Sequence, residues 1–184
     1  VEPQGEKKIY VSRSALPSAR GSILGEKRLE ALLEHEGYTS FHPQKHTFSE
    51  QIAAYKAATH IISIDGSPLH MAALVCDANQ KVACIARRSG NLDEIFARQL
   101  KAFQEIETTT ISALVQDWIP EKDNRPSRVS FGEVDFGVIY DRLLEGGFIS
   151  GGERWHPFSD TDLSELMAEL AIAQKVKFKR YVKP

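Results

Sequence analysis

Over the first 115 residues, short apolar runs alternate with amphipathic stretches, and this alternation limits the possible folds more than any other feature. Residues 7–12 (KKIYVS), 38–42 (YTSFH), 60–64 (HIISI), 81–86 (KVACIA) and 107–115 (ETTTISALV) read as strands. Between them, residues 26–36 carry Leu29, Leu32 and Leu33 on one helical face and stop at Gly37. Residues 49–58 put Ile52, Tyr55 and Ala58 on one side. Residues 68–76 read as a short helix with Pro68 in its first turn, and residues 92–103 space Leu92, Ile95, Phe96, Leu100 and Phe103 as a helix does. Strands separated by amphipathic helices imply a parallel sheet covered on both faces. Right-handed crossovers then make it an α/β, Rossmann-like doubly wound sheet with helices on both faces.

Residues 118–128, with Pro and mixed charges, read as a linker. Residues 136–145 and 162–173 read as helices around a Gly-rich turn at 146–155. The expectation is a Rossmann-like core over 1–117, with a linker and C-terminal helices over 118–184 packing on it. The opening Val1-Glu2-Pro3-Gln4-Gly5 reads as a linker from a preceding domain.

Lys and Arg total 23 against 25 Asp and Glu, so the net charge of -2 provides no overall basic field for nucleic acid. No apolar run approaches the roughly 20 residues of a membrane-spanning helix. Cys76 and Cys84 sit among apolar neighbours and read as small buried side chains in a reducing compartment. Pro43 separates His42 from His46, and HExxH is missing, so no metal site and no cofactor is expected. The chain also lacks GxGxxG and GxxxxGK[ST]. Asp160-Thr161-Asp162 follows Ser159 and reads as an acidic helix start. The basic terminal stretch AQKVKFKRYVKP reads as a solvated tail, with peripheral contact to a membrane surface as the alternative.

In a doubly wound sheet, ligands sit beyond the carboxyl ends of the strands. Three loops there are polar. The first holds Ser12, Arg13, Ser14, Ser18, Arg20, Gly21 and Ser22 before a helix start near Glu26. Two guanidiniums and a helix N-terminus suit a phosphate group. The second is Asp65-Gly66-Ser67-Pro68-Leu69-His70. Gly66 lets the backbone approach a ligand, Ser67 is a natural N-cap, and His70 falls in the first turn. GxSxG is not completed there, so a hydrolase elbow is not indicated. The third, Arg87-Arg88-Ser89-Gly90-Asn91, reads as a polar turn capped by Asn91 that could also reach an anion. Convergence of Arg13 and Arg20 with the Gly66-Ser67 bend is the decisive expectation.

These motifs, in order, resemble the family 61 glycosyltransferases. Tyr10-Val11-Ser12-Arg13 followed by Arg20-x-x-Ile23-Leu24-Gly25-Glu26 is similar to the family's strand-S-R and R-x-I-x-N-E. Gly37-Tyr38, then Pro43 with Phe48-Ser49-Glu50-Gln51-Ile52, then Ala57-Ala58-Thr59-His60-Ile61-Ile62 continue the match. Ile64-Asp65-Gly66-Ser67-Pro68-Leu69-His70 closes it near residue 75. Two positions depart: Gly25 stands where Asn is usual, and Asp65 where His or Glu is usual.

The resemblance implies the C-terminal, nucleotide-sugar-binding half of a GT-B enzyme, with the N-terminal acceptor domain outside this chain. It implies metal-independent transfer of a glycosyl group to a saccharide hydroxyl in surface or capsular polysaccharide biosynthesis, in the cytoplasm or at a membrane. Arg13, Arg20, Gly66, Ser67, His70 and Glu50 are the candidate donor-binding residues. No catalytic base is named. A Rossmann-like binding module without turnover is the alternative.

Overall fold

The computed structural model describes residues 1–183. Strands β1 (Lys8–Val11), β2 (Thr39–Phe41), β3 (His60–Ile64), β4 (Lys81–Ile85) and β5 (Thr109–Ile111) form one sheet in the order β2-β1-β3-β4-β5. All four ladders are parallel. Helices α1 (Glu26–His35), α2 (Phe48–Ala57), α3 (Pro68–Val75) and α4 (Leu92–Gln104) connect the strands. The expected α/β sheet is present, and its order locates the crevice. The chain reverses direction across the sheet between β1 and β3, so the loops after these strands part at their carboxyl ends.

The strand residues serve two faces. Tyr10, Ile62, Ile64, Ala83 and Ile85 pack with Leu29 and Leu33 of α1 and with Phe136, Ile139 and Leu143 of α5 (Phe136–Glu145). Ile9, Val11, Ile61, Val82 and Cys84 pack on the opposite side with α2, α3 and α4. This explains why β3 does not alternate apolar with polar residues: neighbours Ile61 and Ile62 are both fully buried, one on each face. Truncating either to Ala should cost about 2–5 kcal/mol. Cys76 and Cys84 are buried free thiols, and burial pushes the Cys76 thiol up to about 12.

A second, antiparallel sheet follows, with β6 (Leu114–Pro120) between β7 (Phe131–Val134) and β8 (Phe178–Arg180). It corrects three local expectations. The strand read over 107–115 is two strands in different sheets. The linker read over 118–128 begins inside β6. The tail read as solvated contains β8, anchored where Phe178 meets Phe131 edge-on at 5.7 Å and Arg180 covers Trp118 at 5.2 Å. The partners of β6 lie far away in the chain, so short-range periodicity does not display them. Helix α6 (Asp160–Gln174) starts as expected, with Ser159 and Asp162 forming a capping box. Only Leu170 of this helix is buried, in a small cluster with Leu24 and Phe131.

The second sheet also holds the loop after β1. Gly21 N–H donates to Arg128 O at 2.8 Å, Gly132 N–H to Ser22 O at 3.0 Å, and Leu24 N–H to Gly132 O at 2.8 Å. Ile23 thus forms a single parallel bridge with Gly132 of β7. Among the described residues, no helix is long and apolar enough to cross a membrane.

Candidate functional site

The site begins with one buried carboxylate. Glu26, in the first turn of α1, is 5% exposed. Its Oε1 accepts from the Tyr10 hydroxyl at 2.9 Å and from Arg13 N–H at 2.7 Å, and its Oε2 accepts from the Ser22 hydroxyl. Burial pushes its pKa upward, and the bonds from Ser22, Arg13 and Tyr10 pull it back. Glu30, one turn on, accepts from the hydroxyls of Ser12 and Ser14. The hydroxyls of the Ser-rich loop are therefore largely spent on these two glutamates, which set the backbone course of the loop.

This tether aims Arg13 at the next loop. Its Nε donates to Gly21 O at 2.9 Å. Its Nη1 lies 2.9 Å from where a Cβ on Gly66 would stand. Of the two guanidiniums expected at the glycine-serine bend, Arg13 is the one placed against it, and a side chain on Gly66 would displace that guanidinium. Burial lowers the pKa of Arg13, while Glu26 and Asp65 raise it.

Asp65 answers the question posed by its carboxylate. It is 1% exposed, and its Oδ2 accepts from Arg87 N–H at 2.7 Å. Arg87 Nε lies 3.1 Å from Oδ1 and aligns on the Asp65 main-chain oxygen at 3.2 Å. Burial pushes the Asp65 carboxyl up despite this partner, and lowers the Arg87 guanidinium to about 10. The charges of Arg88 and Arg13 also favour the ionised form of Asp65, while Glu26 does the same for Arg13 from the other side.

The helix termini add donors. Gly25 precedes α1 at φ 64°, and Ser67 precedes α3; neither provides a side-chain cap. Asn91 before α4 makes no cap bond either, contrary to expectation. Away from the crevice, Thr47 and Asp135 do cap α2 and α5. At the uncapped starts of α1 and α3, Pro68 brings no N–H, the N–H groups of Leu69, His70 and Arg28 donate to Gly66 O, Ser67 O and Gly25 O, and those of Glu26 and Lys27 at the start of α1 are without a side-chain partner. Gly25, where the family pattern has Asn, makes room for Phe158: a Cβ there would run into the ring. Phe158 packs edge-on against Phe136 at 5.0 Å, beneath the Arg28 guanidinium.

A cavity of about 680 Å³ opens beside the loop after β1, and both Arg13 and Arg20 line it. Gly66 and Ser67 are not in its lining, so Arg13 is the link between the two. His70 turns to α4 instead, with Nδ1 2.7 Å from Gln99 Oε1 and its ring on Phe96. Glu50 is exposed and occupied by the Thr47 capping box, which pulls its pKa down. Gln51 organises the turn before α2 by donating to Pro43 O and His46 O. His46 stacks on Phe41. Among the described residues, no group of three or more His, Cys, Asp or Glu side chains is placed to hold a metal ion.

Sequence reasoning missed the far wall of the cavity, which comes from α6 and includes Glu165, Glu169 and Gln174. An exposed acidic helix face carries no local sign of what it faces. The Asp65–Arg87 pair was missed too, although a carboxylate one residue before Gly66 and an Arg pair after β4 were its visible halves.

Residues 1–84 match the family model described as Glycosyltransferase 61. The match runs from β1 into β4 and includes the six candidate donor-binding residues, while the 87–91 loop lies outside it. No curated protein matches the chain.

Proposed function

Starting from a chain whose first 84 residues carry the glycosyltransferase 61 match, we propose that it is the donor-binding domain of a glycosyltransferase. Its ligand in this reading is a nucleotide-sugar, held through the diphosphate by Arg13, Arg20, the Gly66-Ser67 bend and the N-termini of α1 and α3. The single observation that carries the reading is the approach of Arg13 to Gly66, which sets two family motifs about fifty residues apart against each other.

In the proposed reaction, a saccharide hydroxyl attacks the anomeric carbon and the bond to the nucleoside diphosphate breaks. Negative charge grows on the departing phosphate oxygen. The guanidiniums and helix N–H groups stabilise that charge from fixed positions. Glu26 positions Arg13 through its main-chain N–H and does not touch the ligand. A GT-B partner domain outside this chain supplies the acceptor site and the base, and the product is a surface or capsular polysaccharide.

Calorimetry with UDP, GDP and CMP tests the proposal. One of these should bind, and Arg13→Ala should weaken it roughly 10–100-fold, as expected for losing a charge-assisted contact. Arg20→Ala should weaken it less, because Arg20 is exposed. No binding by any of the three, or binding indifferent to Arg13, would remove the reading. Binding without sugar transfer in the full-length protein would favour the non-catalytic module.

A further inference from the structure

The cavity beside the loop after β1 has two walls of opposite charge that do not close on each other. Arg13, Arg20, Lys27 and Arg28 stand on one wall, where the Glu26 carboxylate is already taken by Tyr10, Ser22 and the Arg13 N–H. Glu165 and Glu169 of α6 stand on the other, beside Asp162, which is held in the helix cap. Glu165 and Glu169 are four residues apart, hence on one helix face. Among the described residues, neither carboxylate has a hydrogen bond, and no ion pair crosses the cavity. A polar link between the walls sits at one end, where Ala19 N–H donates to Gln174 Oε1 at 2.8 Å. Leu24, Phe131 and Leu170 pack at the base. A volume of about 680 Å³ is that of a small-ligand pocket.

We propose that this cavity seats the saccharide part of the ligand, with Glu165 and Glu169 accepting hydrogen bonds from its hydroxyl groups. The proposal rests on the anion reading above, because Arg13 and Arg20 would hold the phosphate at the cationic wall. The charges decide the ligand class. A free cation is repelled by four basic side chains. A second anionic group is repelled by the carboxylates of α6. An uncharged polyol joined to a phosphate satisfies both walls: phosphate oxygens accept from guanidinium N–H groups, and hydroxyls donate to carboxylates. The apolar base suits the C–H face of a sugar ring. Both glutamates lie beyond the family-matched segment, so sugar choice would reside in α6 while phosphate binding resides in the matched half.

Calorimetry on the full chain with inorganic phosphate, α-glucose 1-phosphate and α-glucuronic acid 1-phosphate tests this without reference to a nucleotide base. Glucose 1-phosphate should bind roughly tenfold or more tightly than phosphate, the gain expected from hydroxyls bonded to charged acceptors. Glucuronic acid 1-phosphate should bind more weakly than glucose 1-phosphate. Glu165→Gln/Glu169→Gln, both exposed and isosteric, should erase the glucose 1-phosphate gain while leaving phosphate binding equal or tighter. A purely electrostatic role for α6 would change both ligands alike. Arg13→Ala should weaken both. An Arg13-dependent phosphate affinity with no sugar gain, or a gain untouched in the double variant, would overturn the proposal and leave the anion reading standing. Absence of binding by any of the three ligands would overturn it as well, with the nucleotide titration deciding the anion reading separately.

Discussion

Arg13 Nη1 lies 2.9 Å from the position a Cβ on Gly66 would take, so the guanidinium after β1 rests on the bend after β3. The φ of Gly66 lies outside the left-handed region, and an alanine there is conformationally tolerable. Gly66→Ala should therefore displace Arg13 rather than unfold the chain. Stability should change by about 0.5 kcal/mol or less. Anion affinity should fall roughly tenfold, measured by calorimetry beside a thermal melt.

The Gly25–Phe158 contact separates two costs. At φ 64°, Asn tolerates the backbone better than other side chains do, so Gly25→Asn isolates the steric collision with the Phe158 ring. We expect a loss of about 1–3 kcal/mol by chemical denaturation, in the range of overpacking. In a Phe158→Ala background the same change should cost clearly less, a coupling visible in a double-mutant cycle.

Glu26 gives a pH dependence whose sign follows from burial. Its folded-state pKa is raised above 4.5, so the carboxyl holds its proton more tightly folded than unfolded. Its contribution to stability is full below the unfolded value. It declines as pH rises toward the folded value and then levels off. Glu26→Gln removes that decline. The stability of wild type relative to this variant should fall as pH rises above about 4.5, read from denaturation at each pH.

Asp65 and Arg87 form a buried pair whose halves are unequal to lose. Arg87→Met leaves Asp65 charged and buried, and should cost about 3–5 kcal/mol. Asp65→Asn in that background should recover a substantial part, since the stranded charge is gone. Additive losses in the cycle would contradict the pairing.

The parallel sheet was legible because each of its strands announces itself locally. Residues 60–64 carry three isoleucines at adjacent and alternate positions since both faces are covered, and Leu29 and Leu33 mark the inner side of α1 at helical spacing. The meeting of Arg13 with Gly66 was legible for the same reason: a doubly wound order brings the loops after β1 and β3 together at the carboxyl ends of the strands. The second sheet was not legible. Strands β7 and β8 are four and three residues long, and β6 mixes Trp118 and Ile119 with charge and proline. Its pairings join residues that only tertiary structure brings together. His70 was correctly placed in the first turn of α3, yet its direction depends on Gln99 and Phe96 of another helix.

The account centres on one anion site spanning the loops after β1 and β3. Titration of ¹⁵N-labelled protein with inorganic pyrophosphate, followed by amide chemical shifts, tests that most directly. The amides of Glu26 and Lys27 at the start of α1 and those of Gly66 and Ser67 should shift together and saturate with a single dissociation constant. Shifts confined to one of the two loops, or two unrelated dissociation constants, would contradict it.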